Sequence, residues 1–101
     1  MATTAIHPYV FEVLMPDLVG HDRKPSAFVV YLYLSHRAQQ LGRNRVPASL
    51  QTIAVKTGLS KSSVQTALRH LQRRGLVSEE PTAAADPCRV VLRPWLRRAG
   101  E

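Results

Sequence analysis

Two short helical patterns separated by a glycine occupy residues 50–74, and they restrict the fold more than any other part of the sequence. Apolar residues fall at helical spacing on both sides of the break: Leu50, Ile53 and Ala54 before it, and Val64, Ala67, Leu68 and Leu71 after it. Gly58 stands where the first helix needs a left-handed residue to end, and glycine adopts that conformation without a Cβ clash. Ser60 is placed to cap the second helix through its hydroxyl. The pattern predicts two amphipathic helices that share one core across a sharp turn.

The sequence on either side of these helices continues the pattern in a definite order. Residues 25–40 predict a longer apolar helix, and residues 77–93 predict two strands with a connecting loop. The motif itself consists of Leu50, Ala54, Gly58, Val64 and Leu68, followed by Gly75, Leu76 and Val77. Together these elements resemble the winged helix-turn-helix DNA-binding domains of bacterial, phage and plasmid transcription regulators and replication proteins.

The resemblance implies a mainly α fold with a small β-wing, in the α+β class. We expect a three-helix core, a two- or three-stranded antiparallel wing and an extra N-terminal helical segment. The chain has 101 residues, which is enough for one small domain. Residues 1–24 are expected to form an N-terminal segment and linker, residues 25–93 the winged helix-turn-helix domain, and residues 94–101 a basic C-terminal tail.

The chain has a formal net charge of +7, and its charged residues are distributed unevenly along the sequence. Residues 1–41 contain three basic and three acidic side chains, so the rest of the chain holds 11 of the 14 basic residues and four of the seven acidic ones. This excess coincides with the helix-turn-helix pattern, as expected of a protein that binds a phosphate backbone. The alternative is a solvated basic face that only aids solubility.

The resemblance also implies that the helix predicted over residues 60–74 enters the major groove of double-stranded DNA with its N-terminal part. Arginine can bond guanine at two positions, and glutamine can do the same with adenine. The predicted base-reading residues are Lys61, Ser62, Ser63, Gln65, Thr66 and Arg69. For each of them the alternative is an exposed polar side chain without a ligand.

Other basic and polar side chains are placed to contact phosphates, which position a protein on DNA without reading bases. Two lie at the far end of the second helix, one lies at the base of the wing, and the others precede or open the first helix. The predicted phosphate-contacting residues are Arg43, Arg45, Ser49, Gln51, Thr52, Arg73, Arg74 and Arg89. The wing itself is not expected to enter a minor groove, because Glu79, Glu80 and Asp86 are acidic and residues 82–85 carry no cation.

The strands and the tail are predicted from short patterns. Val46 and Pro47 are expected to form a brief edge strand, and residues 89–93 alternate as a half-buried strand does. Arg93 is a further side chain that could reach phosphate from the base of the wing. We expect Trp95 to pack on the core, with a dimer contact or a DNA contact as alternatives.

The N-terminal segment is apolar but is interrupted by Pro8 and Pro16, so it predicts a short helix at most, around residues 9–15. Residues 20–24 are polar and predict a linker. The helix over residues 25–40 is apolar almost all round, which indicates burial on more than one side. Either the N-terminal segment covers it, or a second copy of the chain does, in a homodimer formed through residues 7–20 and 25–40.

Several classes of protein are not expected. No stretch approaches the roughly 20 apolar residues of a membrane span, and the first residues lack the pattern of a signal peptide, so we expect a cytoplasmic protein. Cys88 is alone, so it can form no internal disulfide, and no zinc-ligand spacing is present. The four histidines are scattered outside any catalytic motif, so neither an enzyme, a cofactor nor a small-molecule ligand is implied.

The function expected from these observations is sequence-specific binding of double-stranded DNA by a transcription regulator. The DNA-binding domain of a phage or plasmid replication initiator is one alternative. A winged-helix module that binds another protein is the other, because a fold does not by itself determine a function.

Overall fold

Three α-helices form the main body of the computed structural model, which describes residues 3–80 and 87–96. They are α1 (Pro25–Leu41), α2 (Leu50–Thr57) and α3 (Lys61–Arg73). Helix α1 begins at Pro25, where the missing N–H has no intrahelical partner to lose, and it ends at Gly42 in the left-handed conformation.

The turn between α2 and α3 has the predicted capping residues. Gly58 has a φ of +82°, and its N–H donates to the Ala54 carbonyl to end α2. The hydroxyl oxygen of Ser60 then accepts from the N–H of Ser63 at 3.1 Å. These two local interactions bring the helices into contact around the buried small side chain of Ala54, so the helix-turn-helix predicted from the sequence is confirmed.

The sheet has three short antiparallel strands: β1 (Arg45–Pro47), β2 (Val77–Glu80) and β3 (Cys88–Val91). Their order in the sheet is β1-β3-β2, so β1 is an edge strand, as predicted. In the register, Val46 lies opposite Arg89, and Glu79 lies opposite Arg89 on the other side. The element order α1-β1-α2-α3-β2-β3 confirms the predicted winged-helix fold of the α+β class. The predicted wing tip at residues 82–85, Asp86 and tail residues 97–101 lie outside the described residues.

The core receives side chains from every main element of the described chain. Its fully buried members include Leu34, Ile53, Leu71 and Val91. Tyr31 is also fully buried, and its hydroxyl donates to the carbonyl of Leu92 at 2.7 Å. Burial raises the pKa of Tyr31 to about 12, so this hydroxyl remains a hydrogen-bond donor across the physiological range.

The N-terminal helix does not stop before Pro16, so this part of the sequence prediction is wrong. Helical turns over Val10–Leu14 and Pro16–His21 continue through the proline. We call residues 10–21 the N-terminal helical segment. Its turns are wide, because the N–H of Met15 donates to the carbonyl of Val10, five residues back, and Pro16 opens the second turn where its missing N–H is tolerated.

Side chains of the N-terminal helical segment are buried at every fourth position. They are Val10, Leu14 and Leu18. The segment packs against α1, and Phe11 meets Phe28 edge to face with ring centroids 6.3 Å apart. The apolar sides of α1 are therefore covered in part by the same chain.

The C-terminal end of the described chain packs on the residues just before this segment. Trp95, in the short helical turn Pro94–Leu96, stacks on His7 with ring centroids 5.1 Å apart. A cavity of about 470 Å³ adjoins this contact and is lined by Ile6, Leu32 and Val91 among others. Trp95 acts in packing, which was its expected role.

Candidate nucleic-acid interface

The exposed face of α3 carries most of the predicted base-reading side chains. Val64, Ala67, Leu68 and Leu71 face the core, and this fixes the orientation of the helix. On the solvent side lie Lys61, Ser62, Gln65, Thr66 and Arg69, all of which are exposed. The fold thus places five of the six predicted base-reading residues on one surface.

Ser63 differs from the other five because it is half-buried and takes part in the helix cap. Its backbone N–H donates to Ser60 Oγ at 3.1 Å, and the Ser60 hydroxyl donates to Ser63 Oγ at 2.9 Å. A hydroxyl held in this way has less freedom to read a base edge. We therefore regard Ser63 first as a capping residue.

Cations on this surface remain available for a ligand. Within the described chain, neither Lys61 nor Arg69 forms an ion pair, and both are exposed. Arg73 lies one helical turn beyond Arg69 on the same face of α3, and it is also exposed. Among the described residues, its side chain makes a long contact of 3.5 Å between Nη2 and Nδ1 of His70. These side chains can bind phosphate or a base edge without giving up a strong partner.

The start of α2 offers polar groups beside α3. Ser49 caps the helix by accepting from the N–H of Thr52 at 3.1 Å, which occupies one side of its hydroxyl. Gln51 and Thr52 are exposed. A polar, uncharged start of α2 is suited to a phosphate oxygen.

The loop before β1 and the first residue of β1 hold two further arginines of the predicted set. Arg43 and Arg45 are both exposed. Arg43 Nε donates to the carbonyl of Arg45 at 3.2 Å, whereas Arg45 Nε lies 2.9 Å from Glu80 Oε1 of β2. An exposed pair of this kind contributes little and can exchange its partner for a phosphate.

Arg89, a predicted phosphate contact, is buried and paired in the structure, which makes it poorly placed for that role. Its side chain is only 6% exposed, and Nη1 lies 3.0 Å from Glu79 Oε2. Nε donates to the carbonyl of Ala48 at 3.2 Å. In β3 the buried side chains are Arg89 and Val91, so a paired arginine takes a core position that charge alone would assign to the surface.

Arg74 also has partners that were not predicted. Its Nε lies 2.9 Å from Asp22 Oδ2, and its guanidinium contacts Asp17 as well. Two carboxylates already match its charge, so Arg74 is less available to a phosphate than Arg73.

Asp22 is the residue that the sequence prediction missed, because it was assigned to a polar linker. Its side chain is only 8% exposed, and its oxygens lie 2.9 Å from His21 Nδ1 and 2.7 Å from His70 Nε2. Hydrogen bonds with His21 and His70, together with the charge of Arg74, lower the pKa of Asp22 from 3.8 to about 2. This carboxylate joins the N-terminal part of the chain to the C-terminal half of α3.

Asp22 is expected to make stability depend on pH in the acid range. Because its pKa is lower in the folded chain than in the unfolded one, the ionised group stabilises the fold above about pH 4, and this contribution disappears as the pH falls through 2. Asp22→Asn should therefore lower the thermal midpoint at pH 6, and the difference from the wild type should shrink towards pH 2. The matched control is Glu12→Gln, an exposed carboxylate of the N-terminal helical segment that precedes Asp22. A difference that stays constant with pH would contradict this assignment.

Two further observations concern ions and membranes. Asp17, His21 and Asp22 hold potential metal-ligand atoms within 4.8 Å of one another, but both Asp22 oxygens already have partners within the chain. In residues 3–80 and 87–96 there is no helix of the length and apolarity that a bilayer crossing requires.

Comparisons with known proteins agree with the geometry. A family profile described as a helix-turn-helix domain matches residues 24–77, which include α1, β1, α2 and α3. The match covers 54 of the 101 residues. Searches of curated proteins and of solved structures gave no significant match.

Proposed function

The chain belongs to the helix-turn-helix domain family, and on that premise we propose that it binds double-stranded DNA in a sequence-specific manner with α3 in the major groove. The observation that carries the proposal is the exposed face of α3, where Lys61 and Arg69, which have no ion pair among residues 3–80 and 87–96, flank Gln65. A major groove about 12 Å wide admits one helix of this size. The polar start of α2, together with Arg43 and Arg45 before and at the start of β1, supplies groups for the phosphates on either side.

Binding to DNA is expected to weaken steeply as salt is added, because each cation that neutralises a phosphate releases condensed counterions. With the three arginines Arg43, Arg45 and Arg73 engaged on phosphates, the logarithm of the association constant should fall with a slope of about −2.7 against the logarithm of salt concentration, and each further cation on a phosphate adds about 0.9 to its steepness. The measurement is a titration of a labelled duplex of random sequence between about 50 and 200 mM salt. Absence of binding at the lowest salt would favour the protein-interaction module instead.

We further propose that the protein is a transcription regulator and that it acts in the cytoplasm. A regulator should prefer a single palindromic site near its own promoter, whereas a replication initiator should prefer repeated sites at an origin. Selection of bound duplexes from a random pool, followed by mapping of the consensus, separates these outcomes.

His36 and His70 make contacts within the fold, so they serve structure rather than catalysis, which fits a binding protein. His70 is held by Asp22, and His36 contacts the hydroxyl of Thr4. Both act between elements of the fold.

We propose that the chain forms a homodimer through residues 7–20 and 25–40. Support comes from exposed apolar side chains at every fourth position of the N-terminal helical segment, Phe11, Met15 and Val19, together with Val29 of α1. Light scattering at micromolar concentration should give about twice the 11.3 kDa mass of the chain. Val19→Glu should give the monomer mass, whereas Val55→Glu, which changes an exposed valine of α2, should not. A monomeric wild-type protein would contradict the proposal.

A further inference from the structure

A polar cleft of about 290 Å³ lies between the start of α1 and the start of α3. One wall contains Arg23, Lys24 and Ser26, and the other contains Ser62, Ser63 and Thr66. The second wall belongs to the part of α3 that carries the predicted base-reading residues. Two cations that are distant in sequence therefore lie beside the proposed DNA-reading end of α3.

These cations are not neutralised within the described part of the chain. The nearest acidic residues in sequence are Asp17 and Asp22, and both are engaged with Arg74, Asp22 also with His70. Neither Arg23 nor Lys24 has an ion pair among residues 3–80 and 87–96. Residues 1–41 contain equal numbers of basic and acidic side chains, but positive charge is nevertheless in excess at the cleft.

We infer that Arg23 and Lys24 form a second contact with the phosphate backbone of DNA, beside the groove that α3 enters. This inference rests on the proposed DNA binding and adds residues outside the helix-turn-helix to its interface. A major groove is bordered by phosphates on both sides, so cations next to the inserted end of a helix face one of the bordering strands. The hydroxyls of Ser26 and Ser62 can donate to the same phosphate oxygens.

The backbone at Arg23 permits a variant that separates charge from folding. Arg23 has a φ of +55°, in the left-handed region that glycine adopts without a Cβ clash. Arg23→Gly therefore removes the cation while the observed backbone becomes easier to adopt. Lys24→Gln, made together with it, removes the second charge and keeps a long polar side chain.

A matched control is available at the other end of the same helix. Arg37 lies about 18 Å along α1 from Pro25 at 1.5 Å per residue, and its Nη1 donates to Gln40 Oε1 at 3.0 Å. Arg37→Ala changes the net charge by the same amount as Arg23→Gly. It is expected to leave the salt dependence of DNA binding unchanged, because it lies away from the cleft. Since Arg37 falls within the proposed dimer region 25–40, the mass of this variant in light scattering should also equal that of the wild type.

The test is the slope of the logarithm of the association constant against the logarithm of salt concentration. Arg23→Gly should make the slope shallower by about 0.9, and Arg23→Gly with Lys24→Gln by about 1.8, to the same extent on every duplex sequence. Thermal midpoints of the variants should be no lower than that of the wild type. A double variant whose salt slope equals that of the wild type, or changes no more than that of Arg37→Ala, would overturn this inference and leave the proposed function standing. A wild-type protein that binds no duplex would overturn the proposed function and this inference with it.

Discussion

Replacing Leu18 with alanine is expected to lower the free energy of unfolding by about 2 to 5 kcal/mol. Leu18 has no exposed surface, and it packs into the core together with Val10 and Leu14. The substitution removes buried methyl groups and leaves a cavity that the surrounding helices fill only in part. Urea unfolding followed by circular dichroism gives the quantity directly.

A leucine on the surface provides the matched control for this experiment. Leu96 is 60% exposed, so Leu96→Ala is expected to change the free energy of unfolding by no more than about 0.5 kcal/mol. If Leu18→Ala behaved like Leu96→Ala, the N-terminal helical segment would not be part of the folding unit. The contrast therefore tests whether residues 10–21 belong to the core.

The same segment has a consequence for the interface. It leads directly into Asp22, which holds His70 and Arg74 at the C-terminal half of α3. Loss of packing at Leu18 would loosen this attachment, and α3 would then rely on its contacts with α1, α2 and β2. A core substitution in the N-terminal helical segment is thus linked to the orientation of the proposed DNA-contacting face through the Asp22–His70 hydrogen bond and the Asp22–Arg74 ion pair.

The helix-turn-helix could be predicted because its determinants are local. Gly58 needs only its own backbone conformation to end α2, and Ser60 needs only a residue three positions ahead to cap α3. The burial of Val64 and Leu68 follows from helical spacing alone. Each of these features depends only on residues within about one helical turn of one another.

The errors in prediction share a different cause. Asp22 and His70 are 48 residues apart, and Asp17 and Arg74 are 57 residues apart, so no local pattern announces either pair. Arg89 is buried because Glu79 lies opposite it in the neighbouring strand. From the sequence alone, all these charged side chains are expected to be exposed to solvent. In the folded chain some of them are paired with an opposite charge and others are not.

The distinction between paired and unpaired groups bears directly on which arginines in α3 and at its C-cap are available to DNA. Arg74 is paired, while Arg69 and Arg73 remain on the exposed stripe that begins with Ser62 and Thr66. The two differ in position along the helix. Arg69 lies closer to the end proposed to enter the groove, and Arg73 lies one turn further out, where the backbone passes.

Arg69→Ala is therefore expected to reduce discrimination at one base position by about 1 to 3 kcal/mol, because it removes a side chain able to bond guanine at two points. Arg73→Ala is expected to weaken binding to all duplexes alike and to make the salt slope shallower by about 0.9. The measurement is a consensus selected from a random pool, combined with a salt titration of each variant.

The pair of variants is informative because each serves as the control for the other. Both remove one exposed arginine from the same face of α3, so a general effect of charge would change their salt slopes equally and leave both consensus sequences intact. A base contact at Arg69 requires instead that one position of the consensus lose its preference while the others keep theirs. Identical consensus sequences for the wild type and Arg69→Ala would place Arg69 among the phosphate contacts, and base reading would then rest on Gln65 and its neighbours nearer the start of the helix.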